Sequence, residues 1–119
     1  MRKNIVKDKS FAFAVRVVNC YKWLCSDKKE YVMSKQFLRS GTSVGAMIRE
    51  SEHAESKKDF IHKMAIAQKE INEAIYWLEL LKETDYLELN QFKELEKDAI
   101  EFIKLITSII KSSKASINH

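Results

Sequence analysis

Phe60, Met64, Ala67, Ile71, Ala74, Leu78 and Leu81 follow one another at steps of 4, 3, 4, 3, 4 and 3 residues. Positions three and four apart share one face of an α-helix, so the run predicts a long helix over 57–83 with an apolar seam. Ser56 stands where an N-cap is needed and Asp59 at the third helical position, the spacing of a capping box. A single amphipathic helix cannot bury its own seam, so the remaining chain must supply partner helices.

It does so with the same rhythm. Helices are predicted over about 8–25, 31–53 and 90–111, the last with Asn90 as N-cap and with Phe92, Leu95, Ala99, Phe102, Ile106 and Ile109 on one face. The first helix carries two stripes, Phe11, Ala14, Val18, Tyr21 and Cys25 beside Phe13, Val17, Cys20 and Leu24, more than one covered face requires. The chain contains no proline and only two glycines, which argues against the turn-rich β-sandwiches and barrels. The expected fold is all-α: a single domain over 1–119 forming an antiparallel up-and-down four-helix bundle, with a frayed tail at 112–119. Phe13, Trp23, Ile75, Trp77 and Ile103 lie outside the main seams and predict a second buried surface, which self-association would supply.

Both glycines fall inside the second helix. Gly41 and Gly45 are one turn apart in Ser40-Gly-Thr-Ser43-Val-Gly45, and a mid-helix glycine costs about 1 kcal/mol relative to alanine. The spacing suits a groove for close helix approach, whereas a phosphate loop would need a Gly-Lys-Ser/Thr ending and a preceding strand.

The net charge of +4 conceals an asymmetry. Residues 1–49 hold eleven basic and three acidic side chains, residues 50–69 four of each, and residues 70–119 six basic and ten acidic. Arg16, Lys22, Lys28, Lys29, Lys35, Arg39 and Arg49 on the first two helices are candidates for nucleic-acid contact, which would weaken with salt. No run of 18 apolar residues could cross a membrane, and two cysteines without metal-ligand spacing fit a reducing cytoplasm.

Few patterns suggest chemistry. Glu50-x-x-His53 has the spacing of a di-iron ligand pair and Asp59-x-x-His62 approaches it, but both fall at one end of the bundle. Glu70 and Glu73, with Tyr76 and Trp77, form a paired carboxylate on the third helix that reads as interhelical bonding to Arg39 or Arg49. No cofactor, metal or catalytic set is expected.

Gln36-Phe-Leu-Arg-Ser-Gly-Thr-Ser-Val-Gly45, Ser56-Lys-Lys-Asp-Phe60-Ile-His-Lys-Met-Ala-Ile-Ala67 and Lys69-Glu-Ile-Asn-Glu-Ala-Ile-Tyr-Trp-Leu-Glu-Leu-Leu81 stand in the order and spacing of a known family. Through them the chain closely resembles the four-helix-bundle proteins encoded in intervening sequences of bacterial 23S ribosomal RNA genes. The resemblance implies an antiparallel bundle, assembly as a ring-like homopentamer and no established enzymatic activity. It points to Gly41, Ser43, Gly45, Asp59, Phe60, Glu70, Glu73, Tyr76 and Trp77 as packing or interface positions. A related branch, the accessory variability determinant of diversity-generating retroelements, is a basic pentamer that engages reverse transcriptase and nucleic acid, so RNA or a nucleic-acid-processing protein is a second expected partner. The chain departs from the pattern at Met47, where the family has Asn, and at Ala74-Ile75, where it commonly has Thr-Glu.

Overall fold

The computed structural model describes residues 4–117, which form four α-helices: α1 (Ile5–Ser26), α2 (Met33–Ser51), α3 (Lys57–Glu83) and α4 (Leu89–Ile117). Each helix starts where a side chain can satisfy free backbone N–H groups. Asn4 accepts from the Lys7 N–H at 3.1 Å, so α1 begins ahead of the expected residue 8. Ser56 accepts from the Asp59 N–H at 3.0 Å while Asp59 accepts from the Glu55 N–H at 3.1 Å, which starts α3 at the expected residue.

The start of α2 is held by Glu30. Its carboxylate is buried and accepts from the N–H groups of Val32, Met33 and Ser34 at 3.2, 3.1 and 2.7 Å. Those bonds keep 31 and 32 out of the helix, so α2 is shorter than the expected 31–53. Burial works to raise the Glu30 pKa, but the bonds from Ser34, Met33 and Val32 outweigh it and hold the carboxyl below its ordinary value.

Asn90 is not the cap expected of it. It lies within α4, and the start is fixed instead by Gln91, whose side chain accepts from the Glu88 N–H at 2.9 Å. α4 runs to Ile117, past the expected end at 111, and Ser116 accepts from Lys57 Nζ at 2.9 Å. The 27 residues of α3 span about 40 Å, and α4 needs comparable length to lie along it. Residues 118 and 119 of the expected tail lie outside the described residues.

The heptad of α3 turns inward from Met64 onward, with Phe60 half-buried at its start. Met64, Ala67, Ile71, Ala74, Leu78 and Leu81 are buried against Phe13, Val17 and Leu24 of α1, Phe37, Val44 and Ile48 of α2, and the Phe92–Ile110 stripe of α4. Burying each large side chain contributes about 1.5–3 kcal/mol. Met47 and Ile75, apolar where the resembling family is polar, are half-buried and pack on this core.

Each helix contacts two others: α1 with α2, α2 with α3, α3 with α4, and α4 with α1. The α2–α3 pairing is the most extensive and the α1–α4 seam the slightest. Side chains record the register. Asn4 bonds Glu52 while Cys25 meets Ser34, Arg39 reaches Glu70 and Glu73 while Glu50 meets Lys63, and Gln68 bonds Thr107 while Lys82 covers Phe92. No helix among the described residues is long and apolar enough to cross a membrane.

Candidate interaction surfaces

Of the two apolar stripes on α1, the bundle buries one except for half-buried Cys20, and half-buries Ala14, Val18, Tyr21 and Cys25 of the other. Phe13, Val17 and Leu24 enter the core, whereas Phe11 and Val15 remain 56% and 44% exposed on the opposite side. The Arg49 guanidinium lies over the Phe11 ring at 5.4 Å from its centroid, extending this outer face onto α2. Phe13, expected outside the main seams, is therefore a core residue, and Trp23, Ile75, Trp77 and Ile103 are half-buried against the core. The exposed apolar side chains are others, among them Tyr31, Val32, Tyr76 and Leu89. Adjoining stripes differ in direction by only part of a turn, so the positions of neighbouring helices decide how far each is covered.

The glycines lie where α2 meets α1. A Cβ on Gly41 would come 2.7 Å from Val17 Cγ2, whereas one on Gly45 would meet Ser10 O at an ordinary 3.5 Å. Only Gly41 is required by close approach. Ser43, between them, donates to the Arg39 carbonyl at 2.6 Å.

On the α2–α3 face, Arg39 joins both carboxylates of the expected pair. Its guanidinium lies 3.4 Å from Glu70 Oε2 and also binds Glu73, which accepts from Trp77 Nε1 at 3.2 Å. The Trp77 N–H, and after it Arg39, hold the Glu73 carboxyl below its ordinary value, and Glu73 raises the Arg39 pKa in return. Tyr76 stands outside, exposed, its ring edge-on to Trp77 at 5.1 Å. The carboxylates thus serve interhelical bonding to Arg39. Arg49 is the partner they do not use. Asp59 belongs to the α3 cap and Phe60 is half-buried against the core.

The seven basic candidates divide by environment. Arg16 pairs with Asp98 of α4, Arg39 with Glu70 and Glu73, and Arg49 covers Phe11. Lys22, Lys28, Lys29 and Lys35 lie at or near the α1–α2 turn, exposed, and among the described residues none has a carboxylate within 4 Å. Lys28 Nζ sits 5.5 Å from the centre of the Trp23 ring.

Two features had no sequence signal. Lys9–Glu101, at 2.8 Å, and Arg16–Asp98 bridge α1 and α4 around a shallow groove of about 190 Å³ floored by Phe13 and Phe102. Lys9 holds the Glu101 carboxyl below its ordinary value. These partners are 92 and 82 residues apart, beyond any helical spacing rule. At the α2–α3 turn Glu50 accepts from Lys63 at 3.0 Å, so a cation faces the carboxylate that the di-iron spacing singled out.

The family model for 23S rRNA-intervening sequence proteins matches residues 2–108. A comparison with curated proteins finds no match. Among solved structures, the chain is similar to a protein of unknown function from the S23 ribosomal protein family of Bacteroides thetaiotaomicron VPI-5482. The two are 58% identical with a TM-score of 0.89, over 90% of this chain and 99% of that one.

Proposed function

The chain belongs to the family of 23S rRNA-intervening sequence proteins, and from that footing we propose that it acts as a homo-oligomeric, non-catalytic binding or scaffold module. The observation that carries this reading is the pair Phe11 and Val15, one turn apart on the outer side of α1, which faces solvent although the helix already buries Phe13, Val17 and Leu24. An exposed apolar face of this kind is a usual mark of a protein interface. The ring of five copies is carried over from the family resemblance. The side-chain pairings of α1 with α2 and of α2 with α3 support successive helices running antiparallel. Free thiols at Cys20 and Cys25 suit a reducing cytoplasm. Replacing Phe11 with Glu and Val15 with Lys tests the interface, because Glu at 11 would meet Arg49 and leave the fold undisturbed. The variant should remain helical and lose its oligomeric mass; unchanged mass would exclude this stripe.

A second reading rests on Lys22, Lys28, Lys29 and Lys35, which no carboxylate answers within the described chain, beside exposed Tyr31. Cations interleaved with an aromatic ring can bind structured or single-stranded RNA. Binding of a ribosomal RNA fragment at about 50 mM salt, falling steeply by about 200 mM, would support it. Equal binding by a variant with Lys22, Lys28, Lys29 and Lys35 changed to Glu would remove it.

A further inference from the structure

We infer that copies of the chain meet turn to turn, the basic α1–α2 turn of one seated on the acidic α3–α4 turn of the next. This rests on the oligomeric, antiparallel reading, which sets both turns at one end of each bundle.

With both glycines spent in α2, each turn reverses through a non-glycine residue in the left-handed region, Lys29 at φ 56° and Asp85 at φ 66°. Glycine is the least strained occupant of such a position after a helix. Instead the two turns carry opposite charges there. Exposed Lys28 and Lys35 extend the positive charge around Lys29, and exposed Glu83 and Glu88 extend the negative charge around Asp85. Within one copy these sets do not neutralise each other. Among the described residues the lysines have no carboxylate within 4 Å, and of the acids only Glu83 has a cation, its own neighbour Lys82 at 3.3 Å.

Apolar surface lies in both turns. Tyr31 and Val32 are 57% and 74% exposed in the basic turn, and Leu89 is 53% exposed beside the acidic one. Both turns are fixed before contact. Glu30 holds the first by three backbone bonds, and buried Leu87 anchors the second. A surface ordered in advance loses little freedom on docking. Basic turn against basic turn would repel, so the contact is heterologous, with every copy offering one turn of each sign, and a closed ring satisfies all of them.

Sedimentation velocity on the full chain tests the pairing. Lys28→Glu with Lys29→Glu, and separately Glu83→Lys with Asp85→Lys, should each weaken self-association by about tenfold or more. Mixing the two variants should restore association as assemblies in which they alternate, hence with an even number of copies, because both turns of one variant are acidic and both turns of the other are basic. Lys29→Gly with Asp85→Gly should melt at a higher temperature yet assemble more weakly, separating assembly from folding. A wild-type oligomer unchanged by both reversals overturns the pairing alone, as does unchanged mass with loss of single-stranded RNA binding in the Lys28 and Lys29 variant. A wild-type monomer overturns the oligomeric reading and this pairing with it.

Discussion

Gly41 of α2 lies against Val17 of α1 so closely that a Cβ there would be 2.7 and 2.8 Å from both Val17 methyl carbons and 3.2 Å from its Cβ. Val17 is fully buried, so rotation cannot clear the space. Gly41→Ala should therefore destabilise the protein by about 1–2 kcal/mol, an overpacking cost of about 1–3 kcal/mol partly offset by better helix propensity. Gly45→Ala meets only ordinary contacts and should stabilise by about 0.5–1 kcal/mol. Urea unfolding of the two variants at one protein concentration checks the opposite signs.

Glu30 should make the α2 start sensitive to acid. Its folded pKa lies below the ordinary 4.5, so its stabilisation is present above that value and is lost as pH falls through the lower folded value. Glu30→Ala should cost about 1–2 kcal/mol at neutral pH and flatten the acid limb of a stability–pH curve. A variant curve parallel to wild type below pH 4.5 would contradict this.

For the α2–α3 face, Glu73→Gln keeps an acceptor for the Trp77 N–H and removes only a half-exposed ion pair, so the loss should stay below about 1 kcal/mol. Glu73→Ala removes the acceptor as well and should cost about 1–2 kcal/mol. Trp77 emission in a Trp23→Phe background should change in the alanine variant and hold in the glutamine one.

The α3 heptad, the Ser56–Asp59 cap and the Gly41 contact were legible in the sequence because each depends on residues within one helix or on the absence of a side chain. Glu30 was missed because its three bonds form after a left-handed Lys29, a conformation for which lysine carries no signal. Phe13 and Phe11 are both apolar and two residues apart, and only the placement of α2 and α4 determines that Phe13 is buried and Phe11 exposed. The Arg39 link to Glu70 and Glu73 could be anticipated from charge, whereas Arg16–Asp98 and Lys9–Glu101 depend on how α4 returns beside α1.

If the bundle works as an assembly, the untagged wild-type chain has the mass of several copies in solution. Light scattering across a dilution series should give a single species at a whole multiple of 13.9 kDa, five copies by the family resemblance. A species that stays at 13.9 kDa at every concentration would contradict it.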